Sequence, residues 1–144
     1  PLAAVDETTF QHKVWPEKHP VAGQPVTLRD YQIEIVNKFL ETPHCLQEIA
    51  TGAGKTLITA ALSNCVEQYG RSIIIVPNVS LVTQTEKDYI NLGLDVGVYY
   101  GGRKEIGHKH TICTWQSLNI LLKNTKAGTS ELTINEFLYN CFKL

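Results

Sequence analysis

Gly52, Gly54, Lys55 and Thr56 crowd into the run A-T-G-A-G-K-T at residues 50–56, the densest chemistry in the sequence. Phosphate groups bind where backbone N–H groups converge at the start of a helix, because unpaired donors and the helix dipole both favour negative charge. Gly52 and Gly54 let the backbone curl tightly around a triphosphate, Lys55 reaches the β and γ phosphates, and the Thr56 hydroxyl is placed to ligate Mg²⁺. The strict phosphate-loop pattern has a glycine where this sequence has Ile49, so the generic form is only partly met. The bland alternative is a chance glycine turn with an exposed lysine.

Three further runs carry polar groups at suggestive positions. In L-R-D-Y-Q at residues 28–32, the Gln32 amide offers one donor and one acceptor, which match the N6 and N7 edge of adenine, and Arg29 can stack on a base or touch a phosphate. Both also suit the solvated side of an amphipathic helix. In V-P-N-V-S-L-V-T-Q at residues 76–84, Pro77, Asn78, Ser80 and Gln84 follow a strand, and T-W-Q-S at residues 114–117 follows a later one. Parallel α/β sheets present their binding groups at the carboxyl ends of strands. Hydroxyls, amides and helix-start N–H groups there grip a sugar-phosphate backbone without reading its sequence. Leu81 reads as core and Trp115 as a packing residue.

The elements that position these runs alternate between two periods. Leu28, Tyr31, Gln32, Ile35, Val36, Phe39 and Leu40 give one helical face from Thr27, with Asp30 in a capping arrangement and Pro43 closing the segment. An apolar run at Cys45–Ile49 reads as a strand before the glycine loop, and Leu57–Tyr69 as the helix after it, stopping at Gly70. S-I-I-I-V at 72–76 is the near-continuous apolar strand of a sheet covered on both faces, ended by Pro77. A helix over 79–92, strands at 96–100 and 111–114, a helix over 115–122 and a capping box at Thr133 and Glu136 complete the pattern. Alternating strands and helices predict an α/β fold, a parallel sheet with helices on both faces. Residues 1–26, with Pro16, Pro20 and Pro25, read as a linker or N-terminal extension, and 27–144 as the domain.

Thirteen Lys plus Arg against 14 Asp plus Glu leave a net charge of -1, so nucleic-acid contact has to be local rather than a global basic footprint. Cys45, Cys65, Cys113 and Cys141 form no C-x-x-C pair, which argues against structural zinc and for reduced thiols in the cytoplasm. No apolar run reaches the roughly 18 residues of a membrane span. A start at Pro1 and the absence of methionine suggest part of a longer product. His108 and His110 flank Lys109 without a third ligand and read as polar surface; Arg103, Lys104 and Lys109 read as a solvated basic loop.

The ordered set L-R-D-Y-Q, A-T-G-A-G-K-T, V-P-N-V-S-L-V-T-Q, Gly101-Gly102 and T-W-Q-S resembles the Q-type motif and motifs I, Ia, Ib and Ic of superfamily 2 helicases, nearest to the UvsW type of T4-like phages and their cyanophage relatives. The resemblance runs from Thr27 onward. It implies a partial RecA-like motor domain of a P-loop NTPase, with ATP and Mg²⁺ as cofactors and Arg29, Gln32, Thr51, Gly52, Ala53, Gly54, Lys55 and Thr56 around the nucleotide. It implies nucleic-acid contacts near Pro77, Asn78, Gln84, Gly102, Thr114 and Gln116. Relatives of this type unwind branched DNA, drive branch migration and fork regression in phage replication and recombination, and separate RNA–DNA hybrids in the host cytoplasm. They use a second RecA-like domain and an acidic D-E-x-H motif. After Ser117 the acidic residues here are Glu131 and Glu136, so the 144-residue chain is expected to bind ATP weakly without useful hydrolysis. A restriction endonuclease motor subunit shares the motifs, and a non-hydrolysing nucleotide-binding module is the alternative of another class.

Overall fold

Residues 3–17, 19–50, 54–129 and 132–142 are described by a computed structural model, in which the chain divides into two units, residues 1–65 and 66–144. In the first unit, α1 spans Asp30–Glu41 with Arg29 as N-cap, so the helix predicted from Thr27 starts later. The Thr27 hydroxyl is engaged elsewhere, accepting from Gln11 Nε2 at 3.2 Å. The first turn is closed instead by Gln32, whose Oε1 accepts from the Arg29 N–H at 2.8 Å, half of a capping box. Asn37 of α1 holds the backbone of Val5 from both sides, through Oδ1 at 2.8 Å and Nδ2 at 3.0 Å. Val5, Phe10, Val26 and Leu28 are buried and Val14 bridges Pro25.

The strand expected at Cys45–Ile49 does not form. Among the described residues no strand pairs with this segment, and Leu46 is 97% exposed. An apolar run becomes a strand only when a neighbour takes up its N–H and C=O groups. Helix α2 spans Lys55–Val66, starting at Lys55 rather than Leu57, and a 3-10 turn at Glu67–Tyr69 carries the chain to Gly70.

The second unit is built on β1 (Ser72–Val76), α3 (Val79–Asn91), β2 (Val96–Tyr100), β3 (Arg103–Lys104), β4 (His110–Thr114), α4 (Trp115–Ala127) and α5 (Ile134–Phe142). The sheet order is β1-β4-β2-β3. β4 runs parallel to both neighbours, with Ser72 and Val96 opposite His110, whereas β3 folds back antiparallel on β2 across the Gly101-Gly102 turn. The expected parallel sheet is therefore mixed, and Arg103 and Lys104 lie in a hairpin arm instead of a solvated loop. Two residues are too few to show a period in sequence.

Alternation along the strands sends successive side chains to opposite faces. Helix α3 covers one face, where Tyr89 meets the His110 ring edge-on at 5.6 Å. Helices α4 and α5 cover the other, where Tyr99, Cys113, Leu121 and Phe137 form a core with Ile73 packed against it. Helix α4 outlasts its expected end at Leu122 because Thr125 stays inward, donating to Leu121 O at 2.7 Å and accepting from Ile134 N–H at 2.9 Å. The predicted capping box opens α5: Glu136 N–H donates to Thr133 Oγ1 at 3.1 Å, and that hydroxyl donates to Glu136 Oε1 at 3.1 Å.

The two histidines differ from the expectation of a polar surface pair. His110 is fully buried in β4. His108 precedes the strand, bonds Asp95 Oδ1 through Nδ1 at 2.8 Å, and lays its ring over Gly97, where no Cβ fits. Among the described residues no group of three or more His, Cys, Asp or Glu is arranged to hold a metal.

Candidate functional site

Thr51, Gly52 and Ala53 lie outside the described residues; Gly54, Lys55 and Thr56 lead into α2. Gly54 has φ +76, a conformation that glycine adopts without strain, and a Cβ there would sit 2.7 Å from Gln32 Nε2. Gln32 is 4% exposed, so its amide is packed against the loop while its Oε1 holds the Arg29 N–H. Within this unit Gln32 thus links the start of α1 to the glycine turn, with one half of its adenine-matching pair already engaged. Arg29 is exposed and donates to Tyr31 OH at 3.4 Å.

Lys55 is exposed and, among the described residues, its ammonium has no partner. The first turn of α2 holds no acidic side chain, so nothing there offsets its helix-start amides and Lys55. A phosphate chain fits this arrangement: the backbone turns where a side chain would collide, and a positive helix end carries an exposed cation. Thr56 is half-buried and would give Mg²⁺ one protein oxygen. That is enough for an ion that keeps several waters and takes much of its coordination from phosphates.

In the second unit, four of the residues named for strand contact, Pro77, Asn78, Thr114 and Gln116, gather at the carboxyl ends of β1 and β4, where Val76 pairs with Thr114. Asn78 Oδ1 accepts from Leu81 N–H at 2.9 Å and caps α3, and Thr114 Oγ1 accepts from Ser117 N–H at 3.3 Å and caps α4. Their side-chain oxygens are therefore occupied. What the two helix starts present outward is backbone N–H, with no acidic residue in either first turn. Gln116 Nε2 donates to Pro77 O at 3.1 Å and ties the two loops together. Gly102 is exposed in the turn beyond β2, and Gln84 is exposed on α3. Trp115, expected to pack, is instead 52% exposed beside Thr114 and Gln116. An indole at this sheet edge has the form of a stacking surface, which its apolar type concealed in the sequence.

The basic residues near the turn divide sharply. Arg103 is fully engaged, with Nη1 and Nη2 each 2.8 Å from Glu86 and Nη2 3.0 Å from Glu105, contacts that push its pKa upward. Lys109 pairs with Glu67 at 3.0 Å. Burial opposes ionisation of Glu67, but bonds from Lys109 and His110 outweigh it and hold the carboxyl below its ordinary 4.5. The bond from His108 holds Asp95 below its ordinary 3.8. Depressed folded-state values mean the unfolded chain takes up protons first, so this stabilisation is complete above about pH 5 and is lost as pH falls through the depressed values. Melting temperature measured from pH 6 down to pH 3 is expected to fall, and to fall less steeply in Glu67→Gln; parallel curves would contradict the assignment.

Residues 25–139 match the family of the type III restriction enzyme res subunit, ResIII. The chain belongs to the ResIII family. The DNA 3'-5' translocase XPB2 of Sulfurisphaera tokodaii is 33% identical to this ResIII chain over 89 residues, covering 60% of the chain and 20% of the translocase. The UvsW helicase from bacteriophage T4 superposes with TM-score 0.63 at 19% identity, over 83% of this chain and 46% of that one. A second T4 UvsW structure gives TM-score 0.64 at 18% identity, over 92% and 29%. A nuclease-deletion mutant of the type ISP restriction-modification enzyme LlaGI, in complex with a DNA substrate mimic, gives 0.51 at 19% identity, over 74% and 14%. The ResIII chain thus spans a fifth of the translocase and under half of the helicase. Its likeness to the T4 UvsW structures shows a shared RecA-like fold. Among its described residues no helix is long and apolar enough to cross a membrane.

Proposed function

We propose that this chain binds ATP with Mg²⁺ at the start of α2 and serves as the first motor domain of an ATP-dependent helicase acting on DNA. The observation that carries the reading is Gly54, turned at φ +76 against Gln32 directly before Lys55, whose ammonium has no partner among the described residues. Lys55 takes the β and γ phosphates, Thr56 the metal, and Arg29, Gln32 and the loop from Thr51 to Gly54 surround the nucleotide. ATP hydrolysis supplies the driving force in the complete protein, with a second RecA-like domain and an acidic motif as its partners. Alone, the 144-residue chain binds ATP without useful turnover. Pro77, Asn78, Gln84, Gly102, Thr114 and Gln116 grip the strand through amides and helix-start N–H groups, and Trp115 stacks on a base. Branched DNA and RNA–DNA hybrids, in branch migration and fork regression, are the substrates this reading favours, with cytoplasmic action in the host of a phage.

Strand binding tests the second half of the reading. Trp115→Ala is expected to weaken single-stranded DNA binding about tenfold, since one base–aromatic stack contributes about 1–3 kcal/mol, while ATP affinity stays unchanged. Fluorescence anisotropy with a labelled oligonucleotide reads it, and equal affinities would remove Trp115 from the strand path. A restriction-enzyme motor subunit is the second reading, favoured by the ResIII match and the LlaGI likeness. DNA cleavage by the complete protein would select it; ATP-dependent strand separation without cleavage selects the helicase.

A further inference from the structure

A small cavity of about 120 Å³ lies between the Gly101-Gly102 turn and the outer stripe of α4. Tyr99 and Leu121 are buried along its walls, and Ile120, 58% exposed, also lines it. It also holds Lys104 and Asn124. Among the described residues the Lys104 ammonium has no ion-pair partner and the Asn124 side-chain amide no hydrogen bond, whereas Arg103 and Lys109 on either side are held by Glu86, Glu105 and Glu67. Among the described residues no carboxylate lines the cavity.

We propose that this cavity receives one pyrimidine ring of a nucleic-acid strand, with a neighbouring phosphate on Lys104; the inference rests on the strand-binding reading above. Size selects the ring. A cavity of about 120 Å³, below the about 150 Å³ that accommodates one benzene, admits no more than a single six-membered ring and excludes a two-ring purine or a whole nucleotide. Chemistry selects the edge. An amide carries one acceptor and a donor pair, which match the alternating donors and acceptors of thymine or cytosine. Lys104 supplies the point charge for the backbone that remains outside. Position selects the source, because the cavity opens beside Gly101 and Ser117, on the same sheet edge as Gly102 and the start of α4.

The test uses labelled oligonucleotides of equal length: oligo-dT, oligo-dA and a strand of abasic sites that keeps every phosphate. Anisotropy titrations of the native chain are expected to give about tenfold tighter binding of oligo-dT than of oligo-dA, the effect of one buried base, with the abasic strand weaker than both because it also lacks the base that stacks on Trp115. Asn124→Ala, and independently Ile120→Trp at the exposed mouth, are expected to erase that advantage while leaving affinity for the abasic strand unchanged. Lys104→Gln is expected to weaken all three strands alike and to lower the salt slope by about one phosphate contact. Oligo-dT and oligo-dA bound equally, or a dT preference that survives both variants, overturns the pyrimidine site and leaves the strand reading standing. Failure to bind any strand at about 50 mM salt overturns both.

Discussion

Lys55→Ala is expected to weaken ATP binding about a hundredfold, measured by titration calorimetry with Mg²⁺, without moving the melting temperature. The second half of that expectation follows from the native contacts: Lys55 is exposed and has no partner among the described residues, so truncation removes nothing that holds the fold. The first half follows from charge. A hydrogen bond between ammonium and phosphate contributes about 1.5–3 kcal/mol, and about 2.7 kcal/mol corresponds to a hundredfold change in affinity. Gly54→Ala reaches a similar loss by another route and does cost stability. Its φ of +76 is strained for any residue with a Cβ, and the new methyl would sit 2.7 Å from Gln32 Nε2. Gln32 has little room to yield, because its Oε1 is fixed on the Arg29 N–H. The two variants together separate charge from shape: unaltered ATP affinity in both would overturn the nucleotide site, and loss in Gly54→Ala alone would mean that the loop matters only as structure.

Strands β1 and β2 were legible to the residue because residues 73–76 are an unbroken β-branched run stopped by Pro77, and the valine- and tyrosine-rich run from Val96 is stopped by Gly101. A strand inside a covered sheet needs no alternation, only enough apolar side chains for two faces. The Thr133 and Glu136 box was legible because capping is local chemistry, settled within one turn. Cys45–Ile49 misled for the opposite reason: its composition suits a strand, but a strand is a relation between two segments, and composition reports on one. Asn78 and Thr114 each follow a strand, which the sequence shows, and their side-chain oxygens cap α3 and α4, which it shows less directly. A short polar side chain at a helix start caps the helix first, and the ligand is left the backbone amides. Trp115 and His110 were exchanged, the indole expected inside and the imidazole outside. Neither residue type determines its burial; the sheet position does.

His110→Ala is expected to be strongly destabilising, by about 3 kcal/mol, lowering the melting temperature by on the order of 10 °C. The register leaves this imidazole no route to water: β4 is the middle of the three parallel strands, all five of its residues are buried, and Tyr89 of α3 closes the face above it. Its nitrogens are both used. Glu67 is held ionised by its neighbours and can only accept, so His110 Nε2–H donates to Oε2 at 3.2 Å, and Nδ1 meets Ser72 Oγ at 2.6 Å. Truncation therefore leaves a serine and a carboxylate short of a partner and opens a void under Tyr89. The void and the serine left short of a partner carry the cost around a fully buried ring, while Glu67, 24% exposed and still paired with Lys109, adds least. His108→Ala is the matched control. It removes an equal ring and an equal carboxylate contact, but at a half-exposed pair with Asp95, which is worth no more than about 1 kcal/mol. If both histidines were surface groups, as their spacing around Lys109 suggests, the two variants would melt together. Chemical denaturation of both separates the outcomes, and equal midpoints would place His110 outside the core.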